Sequence, residues 1–535
     1  MRASPRAVAA LVALVGLTAY LSGVAPDVLY ADGGELQAAG IAGGIAHPSG
    51  YPTFILLGQG FGKLLPGIPA WRMNVMSAGC GAAGLGLFAL VLAELGLSTA
   101  AVLAGAVIYG ASFTYWRNAL GAEVYTLAIA LFLLALWRTL VALRTRRLDD
   151  ACAAAYFMGL AVTGHLVFGP PVVLMATGVA LSLPLSGGRR LGAWTLLVAA
   201  FAIGLSPYAY LAFADRQFTA TNYLRTTIEL SAHQFGLAAA SFASPLPRVM
   251  WVLFGSESHP VQFARPPGGL LRNGVTAIAQ LVLFELGPLA AGLAAIGAWR
   301  IARRRGPERF VLAALGASGL AFAAAVTQLR LIPIFMMPAL LAAGALVGAG
   351  VDAVLERIPR SHPSPPGIRA AGGLLVGAAV ALLVIPWPHL LRVRAHAHPI
   401  GPLRWQAIEE SDPSITGLLP SLRGRDEARR FGERVLRALP PNAYAIGKWR
   451  NITVLNYLHT VEGRRPDLTL DPWYDAHVAR LERWQAEHDI RDHPFVVVGA
   501  IPELRGLLGA ADSVAFGEGD YLLVRRAPLV LPHHP

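Results

Sequence analysis

Apolar residues run along most of this chain in long blocks, and polar residues gather in the intervals between them. A helix crossing the hydrocarbon core of a bilayer needs about 20 predominantly apolar residues. About eleven blocks meet that requirement. They lie near 7–24, 73–93, 98–115, 121–142, 151–168, 170–187, 192–213, 274–299, 309–328, 331–351 and 370–388. The Gly169-Pro170-Pro171 break leaves open whether the fifth and sixth blocks are one broken segment. Residues 1–388 are therefore predicted to be an α-helical multi-pass membrane domain. The first block is longer than a usual signal-peptide core, and no clear small-x-small site precedes Pro26, so an uncleaved helix is expected.

Three long polar segments remain: 25–72, 214–273 and the tail 389–535. In the tail, 389–420 reads as a linker and 421–535 as a small soluble α/β domain. Helices are predicted over Arg425–Leu439, before Pro440-Pro441, and over Asp475–His488. Short strands are predicted at Ala443–Gly447, Phe495–Gly499 and Tyr521–Val524.

Charge sharpens the division. Residues 1–388 hold 25 Lys+Arg and 14 Asp+Glu, whereas the much shorter 389–535 holds 19 and 18. The tail thus has the charge density of an ordinary soluble domain, about one residue in four. The net charge of +12 belongs almost wholly to the apolar part. Its arginines precede the first block, as Arg2 and Arg6, and then follow the fourth, sixth, eighth and tenth: Arg144, Arg146 and Arg147, then Arg189 and Arg190, then Arg300 to Arg309, then Arg357, Arg360 and Arg369. With eleven crossings all five clusters fall on one side, which the positive-inside rule makes cytoplasmic. Topology therefore accounts for the basic balance, and no nucleic-acid partner is implied. The three polar segments then face outward. Cys80 and Cys152 form neither a disulfide framework nor a metal-ligand spacing. Phosphate-loop, dinucleotide and H-E-x-x-H patterns are lacking, which disfavours a nucleotide-driven pump or a cytoplasmic nucleotide-sugar enzyme.

Candidate chemistry concentrates in the first outward segment. Asp32-Gly33-Gly34-Glu35 has the spacing of a capping box, with Asp32 capping a helix and Glu35 at its third position. That structural reading is preferred on spacing, and a carboxylate base at the membrane surface is its alternative. His47-Pro48-Ser49-Gly50-Tyr51-Pro52 is a rigid turn in which Gly50 permits positive φ. His47 and Tyr51 either anchor that turn at the interface or line a polar site. Arg117, Glu123 and Tyr125 stand in the next outward loop, and Glu123 opens an otherwise apolar helix. His165 faces the same side, with a satisfied structural histidine as the default reading. Glu285 and Arg330 are ionisable groups in or between apolar blocks, suited to pairing or to anionic substrate groups.

Four strings resemble one membrane family: Asp32-Gly33-Gly34-Glu35, His47-Pro48-Ser49-Gly50-Tyr51-Pro52, Trp71-Arg72-Met73-Asn74 and Glu123-Val124-Tyr125. This is the protein O-mannosyltransferase-like family that includes transmembrane protein 260. Gly164-His165 resembles a further family region, with Thr163 as a departure. Leu439-Pro440-Pro441-Asn442 and Val461 to Asp467 are similar to the family's tail. Where many members have an Asp-rich stretch, this chain reads Gly447-Lys448-Trp449-Arg450-Asn451, which puts an acidic site in the tail in doubt.

The resemblance implies a GT-C type glycosyltransferase, a multi-helix enzyme with its catalytic carboxylate in the first outward loop. It implies transfer of a sugar, mannose being expected, from a polyprenyl-phosphate carrier to a hydroxyl of a protein or envelope glycan, with inversion. Asp32 is then the expected base, with Glu35 as second choice or orienting partner. His47, Tyr51, Arg72, Asn74, Arg117, Glu123, Tyr125, His165 and Arg330 are the expected substrate-binding residues. No metal is fixed by the sequence. Two alternatives stay open: a transporter or flippase of lipid-linked glycans, although no internal repeat is seen, and a non-catalytic envelope assembly protein that docks through its tail.

Overall fold

The computed structural model describes residues 4–183, 187–217, 221–223, 242–254, 266–304, 306, 308–326, 331–357, 366–397, 420–472, 478–499, 512–517 and 520–525. The chain forms two compact units. The first comprises Met1–Val24, Val75–Tyr208 and Ser258–Arg423. The second gathers Ala25–Asn74, Ala209–Glu257 and Gly424–Pro535.

Every apolar block read from the sequence carries helix. Among the described residues six helices are long and apolar enough to cross a membrane: Pro5–Gly23, Pro69–Glu94, Tyr125–Thr145, Pro267–Ala302, Met337–Leu355 and Ala371–Arg392. Gly187–Gly204 and Ser206–Arg216 add a seventh if that pair, bent by 42°, is one span. Thr99–Gly110, Leu166–Ser182 and Arg309–Ala325 are shorter apolar helices. Around Gly169 the chain makes two helices, Leu148–Gly164 and Gly169–Ser182, joined by the 3-10 turn Leu166–Phe168.

Apolar side chains such as Leu14, Leu191, Leu375 and Leu382 point away from the first unit, as expected of surfaces solvated by lipid tails. Inside it, small residues let helices touch. A Cβ on Gly297 would lie 1.9 Å from the Leu346 carbonyl oxygen, and one on Gly350 would lie 1.9 Å from that of Leu293. The two helices therefore pack backbone to backbone, as small residues allow in a membrane.

The second unit is built on a five-stranded sheet of order β2-β1-β3-β5-β4. Its strands are β1 (Tyr444–Gly447), β2 (Thr469–Pro472), β3 (Phe495–Val498), β4 (Asp512–Gly517) and β5 (Asp520–Arg525). β1 pairs in parallel with β2 and β3, whereas β5 runs antiparallel to both β3 and β4. The helix Trp449–Thr460 crosses from β1 to β2, and Val478–Glu487 lies between β2 and β3. Glu427–Ala438 is strongly amphipathic and buries Phe431, Val435 and Leu436 against Val454, Leu455 and Leu458. The expected tail helices and strands β1, β3 and β5 are present. β2, β4 and the Trp449–Thr460 helix were not anticipated. Of 389–420, the stretch up to Ala397 is helical and 398–419 lies outside the described residues.

The first outward segment joins the same core through Val28, Ala38 and Ala70. Gly34 makes this approach possible: a Cβ there would stand 2.6 Å from the Leu29 carbonyl oxygen and 3.2 Å from the Thr453 backbone. Arg429 reinforces it, donating to Asp27 at 2.7 and 3.0 Å and to Glu462 at 2.6 and 2.7 Å. Ile45 forms a parallel bridge with Asn222, which brings residues 221–223 alongside.

Candidate active site

Asp32 opens the helix Asp32–Ala42 and does not cap it. The capping position is Ala31, at φ 55°, and no side chain accepts from the first turn. The capping-box expectation is thus overturned, because both carboxylates have distant partners. Glu35 Oε1 accepts the His47 backbone N–H at 2.9 Å, and Glu35 Oε2 lies 2.5 Å from His47 Nδ1. Asp32 Oδ1 accepts the indole Nε1–H of Trp449 at 2.7 Å. Asp32 Oδ2 stands 3.9 Å from His47 Nε2.

The turn 47–52 forms as its composition predicts. The Gly50 N–H donates to the His47 carbonyl at 2.8 Å, and Gly50 takes φ 79°. A Cβ on Gly50 would also come within 3.0 Å of Leu211. Tyr51 adopts φ 42° and opens the helix Pro52–Phe61. Its hydroxyl donates to the Pro48 carbonyl at 2.6 Å and lies 3.3 Å from His47 Nε2. The structure thus brings Asp32, Glu35, His47 and Tyr51 together, and it adds Trp449. Edge-on rings of Tyr51 and Trp449 flank His47 at 5.1 and 6.2 Å.

The two carboxylates sit in different surroundings. Glu35 is buried, and desolvation pushes its carboxyl above the ordinary range, with the nearby Asp32 charge adding to the rise and His47 opposing it. The short contact of the Glu35 carboxyl with Nδ1, together with the bond from the His47 N–H, locks the orientation of the His47 ring. The Asp32 side chain is 48% exposed. Glu35 therefore orients His47, while Asp32 presents a carboxylate oxygen to solvent.

Other expected residues are placed elsewhere. Arg72 donates to the carbonyls of Gly62 at 2.6 Å and Gly67 at 2.7 Å, which holds that turn. Asn74 is buried; it accepts from Gln37 at 2.8 Å and donates to the carbonyls of Ala25 and Asp27, both at 3.0 Å. These two residues shape the loop that carries Asp32. In the first unit Arg117 pairs with Glu123 at 3.1 Å, and Glu123 is also bound through its backbone to Ser77. Tyr125 packs on His165 with ring centroids 5.2 Å apart, and His165 Nδ1 accepts the Val167 N–H at 3.0 Å. Glu285 is fully buried, receiving Thr114 Oγ1 at 2.6 Å, Gln280 Nε2 at 2.8 Å and Arg392 at 3.3 Å. Arg330 lies outside the described residues.

Among the described residues no three His, Cys, Asp or Glu side chains are arranged to hold a metal ion. Glu35 and Trp449 also line a half-open cavity of about 100 Å³ within the second unit.

Residues 32–183 match the family model described as the Protein O-mannosyl-transferase TMEM260 N-terminal domain. The chain is 29% identical over 191 residues to Protein O-mannosyl-transferase TMEM260 of Mus musculus. That match covers 34% of this chain and 26% of the mouse protein, so it spans about a quarter of the relative's length. Among solved structures, ArnT from Cupriavidus metallidurans, bound to undecaprenyl phosphate, superimposes with a TM-score of 0.56. The superposition covers 98% of this chain and 99% of that one at 13% identity. The family resemblance carried by the loop motifs is borne out. The fold is that of a multi-pass membrane protein with a small α/β domain, as in the ArnT structure.

Proposed function

We propose that this chain is a membrane glycosyltransferase that moves a sugar, expected to be mannose, from a polyprenyl-phosphate carrier to a hydroxyl acceptor, a protein Ser/Thr or an envelope glycan. The observation that carries the reading is the half-exposed Asp32 carboxylate, held by the Trp449 indole beside the Glu35–His47 pair. An acceptor hydroxyl is a weak nucleophile at neutral pH and needs a base within hydrogen-bond reach. Both Glu35 oxygens are engaged by His47. The Asp32 side chain is 48% exposed and its Oδ2 stands 3.9 Å from His47 Nε2, beyond hydrogen-bond reach, which supports Asp32 as the base and Glu35 as its indirect support.

The step is a direct displacement. The acceptor oxygen bonds to the anomeric carbon as its proton passes to Asp32, and the bond from that carbon to the phosphate oxygen breaks. The lipid phosphate leaves with the electron pair. No covalent glycosyl-enzyme is required, so one carboxylate suffices and the anomeric centre inverts. Charge developing on the phosphate calls for cationic donors. Arg117 and Arg330 are the candidates read from the sequence. Arg72, also read so, is committed to two carbonyls. The apolar helices solvate the polyprenyl tail, and undecaprenyl phosphate in the ArnT structure supports a carrier of that class.

The arginine clusters support an inner-membrane protein with a cytoplasmic N-terminus and an extracytoplasmic second unit. A transfer assay tests the function. Protein in nanodiscs is given radiolabelled polyprenyl-phosphate mannose and periplasmic extract. Label passing into acceptor with inverted anomeric configuration is the expected result. Intact donor and unlabelled acceptors, across a series of carrier-linked sugars, would refute the assignment.

A further inference from the structure

The cavity beside Glu35 and Trp449 is lined by Asn222, Tyr223, Asn456 and Asp471 as well. Trp449 and Asn456 project to one side of the Trp449–Thr460 helix, seven residues apart. Asp471 stands near the carboxyl end of β2, where open parallel sheets hold their ligands. Tyr223 meets the Trp449 ring edge-on at 6.1 Å. Among the described residues the Asn456 side-chain amide has no hydrogen-bond partner, although it lines a concave polar site.

The lining narrows the ligand. Among the described residues it includes two carboxylates and no Lys, Arg or His. A phosphate, nucleotide or acidic peptide would meet like charge there. Amides and carboxylates instead supply the donors and acceptors that vicinal hydroxyls need, and aromatic rings offer apolar area with a polar handle. About 100 Å³ exceeds severalfold the roughly 10–15 Å³ that one water requires. That is room for one sugar ring. β2 lies at the sheet edge, but Pro472 has no N–H to pair, which argues against added peptide strands.

We propose that this cavity is a saccharide subsite, so that the hydroxyl-bearing acceptor is a glycan whose ring is seated against Trp449 and held by Asn456 and Asp471. The proposal rests on the transferase reading for its role but not for its ligand chemistry. Trp449 connects the two, since its ring lines the cavity and its N–H holds Asp32.

The test uses the full chain in nanodiscs, as wild type, Asn456→Ala and the cavity-filling Asn456→Leu. Saturation-transfer NMR with a panel of methyl glycosides reads binding, and steady-state transfer reads KM for donor and acceptor separately. The expected result is binding of at least one glycoside, weakened about three- to ten-fold by Asn456→Ala and abolished by Asn456→Leu, at unchanged melting temperature. Acceptor KM rises in parallel while kcat and donor KM hold. A rise confined to donor KM would show that the ring seated here is the donor's sugar and would overturn the acceptor assignment. Failure of every glycoside to bind, or equal binding by all three proteins, would overturn the subsite even if Asp32-dependent transfer stands. Binding that the variants lose, from a protein that transfers nothing, would refute the transferase reading and leave the saccharide site in place.

Discussion

Replacing Asp32 by Asn separates chemistry from structure at the one residue on which the proposed mechanism turns. The substitution keeps the shape and keeps an oxygen to accept the Trp449 indole N–H, now at 2.7 Å from Oδ1. What is lost structurally is the charge assistance of one hydrogen bond. A bond to a charged group contributes about 1.5–3 kcal/mol and a neutral one about 0.5–1.5 kcal/mol. Solvent screening of a half-exposed carboxylate brings the net cost to about 1 kcal/mol or less. In a unit of this size that lowers the melting temperature by about 2–4 °C. What is lost chemically is the proton acceptor, and general-base catalysis contributes about 10²- to 10⁴-fold. The variant is therefore expected to melt within a few degrees of wild type while kcat falls at least about 100-fold. Single-turnover transfer of labelled sugar, run beside calorimetry on the same preparation, reads both. Turnover near wild type would refute Asp32 as the base. A collapse in melting temperature would refute the separation and make Asp32 a structural residue.

Three further outcomes follow from the same geometry. Trp449→Phe keeps a ring and removes the indole donor, so kcat is expected to fall about 10-fold or more with donor KM unchanged; an unaltered kcat would show that the indole does not orient Asp32. The folded-state pKa of Glu35 lies above its ordinary value, so folding takes up protons there and stability rises as pH falls from that raised value toward the usual carboxyl range. Glu35→Gln lacks this gain, and wild type should improve relative to the variant on acidification in paired melting curves; a pH-independent difference would contradict the burial argument. Arg429→Ala leaves Asp27 and Glu462 facing each other without their shared cation, and breaking such a pair costs about 3–5 kcal/mol. Denaturant titration of the variant should show that loss, and a change under 1 kcal/mol, roughly the value of a surface pair, would show that solvent already compensates the charges.

Much of the first unit was legible because bilayer thickness imposes a pattern that survives in any window of 20 or so residues. The tail's amphipathic helix Glu427–Ala438 and the strand β3, Phe495–Val498, were legible for a similar reason, since period and apolar runs are local. Trp449–Thr460 was not, because its buried residues are shared among the sheet, the helix Glu427–Ala438 and the first outward segment, with Ile452 near Gly447, Val454 and Leu458 near Gly432, and Tyr457 bonded to Ala70, which blurs the one-sided pattern. β2 carries Asp471 and Pro472 and reads as a turn.

The candidate site divides along the same line. Within 47–52 the prolines and Gly50 determine the turn from nearest neighbours alone, and the turn formed as expected. The Asp32–Glu35 spacing misled because a capping rule weighs only residues three apart. Here the decisive partners stand 12 residues away at His47 and 417 away at Trp449. A carboxylate caps a helix when nothing stronger competes for it. A buried Glu35 facing an imidazole nitrogen has a stronger partner than an exposed backbone N–H, because desolvation multiplies the value of a charge-assisted bond. Asp32 is likewise claimed by an indole that the family pattern marked only as a departure from acidic residues. The substitution of Lys448-Trp449-Arg450 for that acidic stretch thus reads differently once folded. It places a rigid neutral donor on the half-exposed Asp32 carboxylate, where another acid would have set like charges side by side.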